Sequence, residues 1–174
     1  DFDSLPDGFE KMDHQAHFDF WKDKTVPNSW MKFRDIALFW LAKGVDGLRY
    51  DMAEMVPVEF WSYMNSSVKM EYPDALLLAE VYNPDLYRDY IRLGKMDYLY
   101  DKVGFYDSIK HMMQGHGWTD HIPKVQEEVF DIEHHMLHFL ENHDEQRIAS
   151  PDFAGSAEKG KPAMVVSTTI STSP

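Results

Sequence analysis

Three acidic residues stand where a chain of alternating strands and helices would carry its chemistry. Asp51 follows the short run Val45 to Tyr50, Glu80 falls at the end of the apolar run Ala75 to Val81, and Asp144 lies just beyond Met136 to Leu140. The carboxyl ends of parallel strands open on one face, and in a (β/α)8 barrel that face holds the active site. One βα unit fits between Asp51 and Glu80 and two fit between Glu80 and Asp144, so the spacing agrees with convergence. Gathering acids together is unfavourable, and it makes chemical sense where one must stay protonated while another stays ionised. Cleavage of a glycosidic bond needs such a pair. In its retaining form one carboxylate attacks the anomeric carbon while the other protonates the leaving oxygen, the two standing about 5–5.5 Å apart.

The neighbours of these acids fit that chemistry. Arg49 precedes Asp51 by two residues and so shares its side of an extended strand, where its guanidinium can hold the carboxylate ionised and aimed. Glu80 comes after Leu76-Leu77-Leu78-Ala79, an apolar approach expected to raise its pKa and suit it to act as an acid. Each residue alone has a plainer reading: Asp is common as a helix cap at βα junctions, and an Arg two residues from an Asp is often a structural ion-pair partner. Read in order, the three acids favour the chemical reading.

The elements that must position them follow from period and punctuation. Residues 1–27 mix aromatics, Asp, His, Pro and Gly without a sustained period and read as a loop-rich leading segment, with residues 28–174 forming the α/β domain. From Asn28, residues Trp30, Phe33, Ile36, Ala37, Trp40 and Leu41 recur at helical spacing, with Gly44 as the stop. Pro57 opens a second helix with Phe60, Trp61, Met64 and Val68 inward. The run Ala75 to Val81 suits a strand buried on both faces, Asn83-Pro84 caps the next helix and Gly94 ends it. Further strands are expected at Met96 to Tyr100 and Met136 to Leu140, with a helix including Trp118 to Val129 between them. Strands alternating with helices imply right-handed βαβ units and a parallel sheet. Ala163 to Ser171, rich in Val, Thr and Ile, favours a strand by propensity, whereas Pro162 equally suits a helix start.

Composition narrows the partners. A formal charge of −13 argues against a phosphate-tracking nucleic-acid binder or a protein of anionic membranes, and a neutral ligand such as a sugar fits better. The absence of cysteine removes disulfides, a thiolate nucleophile and a Cys-based zinc site. No apolar run approaches the roughly 18 residues of a membrane span. The start Asp1-Phe2-Asp3 has neither a basic n-region nor an initiator Met, so extracellular, periplasmic and cytoplasmic locations are all compatible. His134, His135 and His138 contain an i, i+4 pair, but no nearby acid follows the zincin pattern, and no metal site is assigned. The methionines read as packing residues. Among the aromatics Tyr82, two residues past Glu80, is the one expected to stack on a sugar face.

Gly47-Leu48-Arg49-Tyr50-Asp51, Leu77-Leu78-Ala79-Glu80 and Phe139-Leu140-Glu141-Asn142-His143-Asp144 resemble, in order and spacing, three of the four signature regions of glycoside hydrolase family 13, the α-amylase family. The resemblance runs from about Trp21 to the C-terminus. It implies a TIM (β/α)8 barrel, represented here by about strands 4 to 7 with flanking helices, in a segment short of the roughly 250 residues of a whole barrel. It further implies Asp51 as nucleophile, Glu80 as acid/base and Asp144 as the carboxylate gripping sugar hydroxyls, with Arg49 and His143 binding substrate beside them. Ala163 to Ser171 would be the seventh barrel helix, and Ser173-Pro174 would precede the eighth strand. The implied activity is retaining cleavage of α-glucosidic bonds in starch-like glucans or maltooligosaccharides. The alternatives are a transglycosylase or isomerase of the same family and, with weaker support, a non-catalytic sugar-binding barrel. No cofactor is required by the motifs, although calcium is frequent in full-length members. Two departures bear on acceptor specificity: Glu54-Met55 stands where many members have Lys-His, and Ala79 stands where a Gly commonly precedes the acid/base.

Overall fold

A computed structural model describes residues 5–171. The chain divides into two compact units, residues 1–99 and 100–174. In the first, helix α1 (His14–Lys22) lies within the stretch expected to be irregular. Asp13 caps it by accepting the Ala16 N–H at 2.9 Å, and the helix buries His17 and Trp21 against α3. Helix α2 (Asn28–Ala42) ends as expected before Gly44, whose φ of 95° belongs to the left-handed region that glycine enters without strain. Strand β1 (Gly47–Tyr50) leads through the 3-10 turn Ala53–Met55 into α3 (Val58–Glu71), which starts directly after Pro57. Phe60, Trp61, Met64 and Val68 are buried in α3 as expected. On α2 the apolar stripe divides instead: Ala37 and Leu41 are buried, while Phe33, Ile36 and Trp40 are each more than half exposed.

Strand β2 (Leu76–Ala79) pairs parallel with β1, Gly47 opposite Leu76 and Tyr50 opposite Ala79. Gly47 has a packing reason, since a Cβ there would lie 2.2 Å from the Leu76 carbonyl oxygen. Leu77 and Ala79 are fully buried but Leu76 is 45% exposed, so β2 buries alternate residues rather than both faces evenly. Asn83 accepts the Asp85 N–H and starts the turn Pro84–Leu86, and α4 (Tyr87–Arg92) follows. At the end of α4 the left-handed residue is Lys95 and not Gly94. Gly94 serves close approach, because a Cβ would stand 2.5 Å from the Tyr90 carbonyl oxygen. Strand β3 (Tyr98–Tyr100) pairs parallel with β2, Ala79 opposite Leu99, and crosses the boundary between the units.

A buried polar chain ties α1 to α3. The Trp21 indole N–H donates to Ser62 Oγ at 2.8 Å, and Ser62 Oγ lies 2.8 Å from His17 Nδ1. His17 Nε2 lies 2.8 Å from the Phe9 carbonyl oxygen. A carbonyl only accepts, so Nε2 carries the proton and Nδ1 accepts from the serine hydroxyl. Burial pushes the His17 pKa down to about 4, and the ring, stacked on Phe9, is neutral.

In the second unit a π-helical turn (Lys102–Tyr106) runs into α5 (Asp107–Met113), then α6 (His121–Glu128), a 3-10 stretch (Phe130–His135), β4 (Met136–Leu137) and α7 (Ala157–Thr169). The Asp101 N–H donates to Leu137 O at 2.9 Å, placing β4 beside the chain that continues from β3. Its core gathers Phe105, Tyr106, Ile109, Ile122, Leu140, Phe153, Ala154 and Ala163. The ambiguous C-terminal stretch is helical, and its helix starts well before Pro162, at Ala157, where Ser156 caps it through the Lys159 N–H. Gly160 permits the packing there: a Cβ would meet Ile148 at 3.0 Å. Ser173-Pro174 lies outside the described residues.

Candidate active site

Because β1 and β2 are parallel and in register at Tyr50 and Ala79, the next residue of each, Asp51 and Glu80, leaves the same edge of the sheet. Arg49 joins the two carboxylates: Nη1 stands 2.6 Å from Asp51 Oδ1 and Nη2 stands 3.4 Å from Glu80 Oε2. The Arg49 side chain is 28% exposed, Glu80 12% and Asp51 70%, so the cation lies in a partly sheltered position where it is screened less than at the open surface. The residues that sequence spacing brought together in the first unit are therefore together in space.

The turn after β1 is bent to serve Glu80. Met52 adopts φ 46° and ψ 39°, a left-handed conformation that costs a non-glycine residue of order 1 kcal/mol or more, and its N–H donates to Glu80 Oε2 at 2.8 Å. Three residues beyond Asp51, Glu54 accepts the N–H groups of Tyr82 and Asn83 at 3.1 and 2.9 Å. The Tyr90 hydroxyl then donates to the Glu54 and Val56 carbonyls at 3.1 and 2.6 Å, fixing the same turn from α4. Burial raises the Tyr90 pKa, and the nearby Glu54, Glu59 and Asp89 charges act in the same direction, so the hydroxyl keeps its proton to donate. Tyr82, expected as a sugar platform, is half-buried with its backbone held by Glu54. A cleft of about 450 Å3 beside Arg49 and Asp51 is lined by Trp30, Phe33, Phe60, Trp61 and Met64.

Asp144 and His143 belong to the second unit. Asn142 makes an Asx turn, its side-chain oxygen accepting the N–H groups of Asp144 and Glu145 at 2.9 Å each. His143 Nε2 lies 3.3 Å from Asp144 Oδ2, and both side chains are exposed. The loop is anchored on either side of Asp144. Glu141 meets Arg147 at 2.6 Å and the Ile148 N–H at 2.9 Å, and Glu145 accepts the Tyr106 hydroxyl at 2.9 Å with Lys102 at 3.2 Å. Burial alone would raise the Glu145 pKa, but the Tyr106 hydroxyl, Lys102 and Lys110 hold it below the usual carboxylate range. Glu145 and the Glu54 clasp were not predicted from sequence. The Asx pattern two residues before Asp144 was the one local signal present.

Of the three neighbouring histidines, His138 is buried against Phe105 and lies 3.6 Å from Asp101, while the His134 and His135 rings pack on each other at 4.1 Å. Among the described residues no group of three or more His, Asp or Glu is arranged to hold a metal ion, and no helix is long and apolar enough to cross a membrane.

Similar curated proteins include alpha-1,4-glucan:maltose-1-phosphate maltosyltransferases. That of Cereibacter sphaeroides is 33% identical over 106 residues, covering 56% of this chain and 17% of that protein. That of Chlorobaculum tepidum is 32% identical over 114 residues, covering 64% of this chain and 15% of that protein. The chain thus spans less than a fifth of the length of these relatives. Among solved structures, the ligand-free cyclic alpha-maltosyl-(1→6)-maltose hydrolase from Arthrobacter globiformis matches with a TM-score of 0.68 at 20% identity, over 78% of this chain and 31% of that one. Its complex with maltose matches with a TM-score of 0.66 at 21% identity, over the same shares. The likeness shows the fold, an α/β arrangement of parallel strands and intervening helices from a (β/α)8 barrel. The family model for the alpha amylase catalytic domain matches residues 9–174, and the chain belongs to the alpha-amylase family.

Proposed function

We propose that this chain carries the central part of a retaining α-glucosidic active site, with Asp51 as nucleophile and Glu80 as acid/base. The observation that carries the reading is the Arg49 bridge, which holds both carboxylates on one edge of two parallel strands. Asp51, the more open of the two, would attack the anomeric carbon to form a glycosyl-enzyme. Glu80, sheltered and fixed by the Met52 N–H, would protonate the leaving oxygen and then deprotonate the acceptor. By the family resemblance Asp144 grips sugar hydroxyls, with His143 as its neighbour. Maltooligosaccharides and related α-glucans are the proposed substrates, with water as acceptor.

A second reading, transfer to a sugar or phosphate acceptor, is favoured by the names of the similar maltosyltransferases. The two share the first chemical step. In the full-length protein Asp51→Asn is expected to abolish glycosyl-enzyme formation from every glycoside, whereas Glu80→Gln spares that step, read as kcat/KM, for substrates whose leaving group departs unprotonated, such as a glycosyl fluoride. Equal loss on natural and activated substrates for both variants would overturn the assignment. Product analysis on maltooligosaccharides, with and without maltose 1-phosphate, separates the acceptors: longer chains mean transfer, and shorter sugars alone mean hydrolysis.

A further inference from the structure

The turns that follow β1 and β2 hold each other through reciprocal bonds. The first turn gives its Met52 N–H to Glu80, and the second gives its Tyr82 and Asn83 N–H groups to Glu54. We infer that Glu54 is a positioning residue, whose carboxylate fixes the turn carrying the acid/base Glu80 relative to the turn carrying the nucleophile Asp51. The inference rests on the reading above and deepens it.

Three observations carry it. Both N–H groups converge on one oxygen, Glu54 Oε2, at 2.9 and 3.1 Å, a charge-assisted pair of bonds stronger than two neutral ones. The donors lie two and three residues past Glu80, so the clasp acts where the chain leaves β2 and has no ladder bonds of its own. Glu54 is itself anchored, because its turn receives the Tyr90 hydroxyl on the Glu54 and Val56 carbonyls. Without the carboxylate, Glu80 would keep the Met52 N–H and Arg49 but lose the brace on its own turn. A misplacement of about 1 Å at a reacting group costs on the order of 10²-fold in rate. The steps that suffer are those in which Glu80 must reach the leaving oxygen or the acceptor, whereas attack by Asp51 is spared because Asp51 keeps its bond to Arg49.

The test compares Glu54→Ala, Glu54→Gln and the parent full-length protein on a maltooligosaccharide and on an α-glycosyl fluoride. Rates are normalised to competent sites counted by trapping with a fluorinated glycosyl inactivator. Glu54→Ala is expected to lower kcat/KM on the oligosaccharide about 10²-fold with a much smaller loss of kcat/KM on the fluoride, whose glycosylation step needs no proton, while kcat falls on both wherever deglycosylation, for which Glu80 is the base, limits turnover. Glu54→Gln keeps one acceptor oxygen for both N–H groups and is expected to recover most of the lost rate. Should Glu54→Ala fail to fold, Asn83→Pro serves instead: at φ −76° proline fits, its donor to Glu54 is deleted and Glu54 stays in place, and Asn83→Ala, which loses only the cap on Asp85, is its control. Asn83→Pro must show the same difference between substrates. Equal losses on both substrates, or parental rates on both, would overturn the positioning role. Activity surviving in Asp51→Asn would instead overturn the active-site reading itself, so the two failures are distinct.

Discussion

Replacing His17 with Gln is expected to remove a defined part of the pH dependence of stability. His17 is fully buried, with Nδ1 accepting from Ser62 and Nε2 donating to the Phe9 carbonyl. Its pKa falls from the ordinary 6.5 to about 4, because burial disfavours the charged ring. The folded protein therefore keeps His17 neutral at pH values where the unfolded chain protonates it. Below pH 6.5 the unfolded state binds more protons, so stability is full above that value and is lost as pH falls towards 4. At 1.36 kcal/mol per pKa unit the depression amounts to about 3 kcal/mol, a large share of the about 5–15 kcal/mol that holds a domain folded. Protonation would also turn Nδ1 from acceptor to donor, against a hydroxyl that already accepts the Trp21 indole N–H. Urea unfolding at steps from pH 8 to 4 measures the effect. Glutamine offers an acceptor and a donor but does not titrate. The variant is expected to be less stable at pH 8 and to lose about 3 kcal/mol less than the parent on acidification. His14, whose pKa burial also lowers, and the carboxylates are common to both proteins and cancel in the difference. Parallel stability curves for parent and variant would refute the reasoning.

Two further substitutions test the frame that carries the carboxylates. Gly47→Ala places a Cβ 2.2 Å from the Leu76 carbonyl and forces β1 from β2, and a loss of about 2 kcal/mol or more in chemical denaturation is expected, with reduced kcat because Asp51 and Glu80 ride on those strands. Asn65→Leu strands the Tyr50 hydroxyl and the Gly94 carbonyl, which the buried Asn65 satisfies at 2.8 and 2.7 Å, and a loss of about 2–5 kcal/mol is expected, against a smaller loss for Tyr50→Phe, which unpairs one group only.

The parts of the fold legible in the sequence were those written in period and punctuation. Gly44 ends α2 in a left-handed turn, Pro57 precedes α3, and the short run Val45 to Tyr50 and the apolar run Ala75 to Val81 contain β1 and β2, which are two and three residues shorter than those runs. The Arg49–Asp51 contact was legible for the same reason, since period-two geometry places them on one side of a strand. Helix α1 was not. Its inward residues include His17, a polar side chain made burial-compatible by partners at residues 9 and 62 that no local window contains. Gly94 was placed correctly at a helix end but for a different cause, crowding against Tyr90 rather than a positive φ. Glu54 showed only as a departure from the family pattern, because its partners lie 28 and 29 positions away and meet it only once β1 and β2 pair in register.

That distinction bears on how hydrolysis and transfer divide. In double displacement both outcomes pass through one glycosyl-enzyme, and the product ratio is fixed afterwards by whether water or a sugar reaches the anomeric carbon first. In the proposed mechanism Glu80 serves as base for either acceptor. A change in how well Glu80 is placed therefore scales both deglycosylation routes together and leaves their ratio alone, as does a change in the rate at which the intermediate forms. The Arg49 bridge, the Met52 N–H and the Glu54 clasp all act on that shared machinery. Under the proposed roles they would set how fast the intermediate forms and breaks down and not what the enzyme makes. Acceptor preference must then be carried by groups that touch the incoming molecule, and a variant at residue 54 that alters rate while leaving the product ratio unchanged separates a residue that aims the acid from one that selects the acceptor.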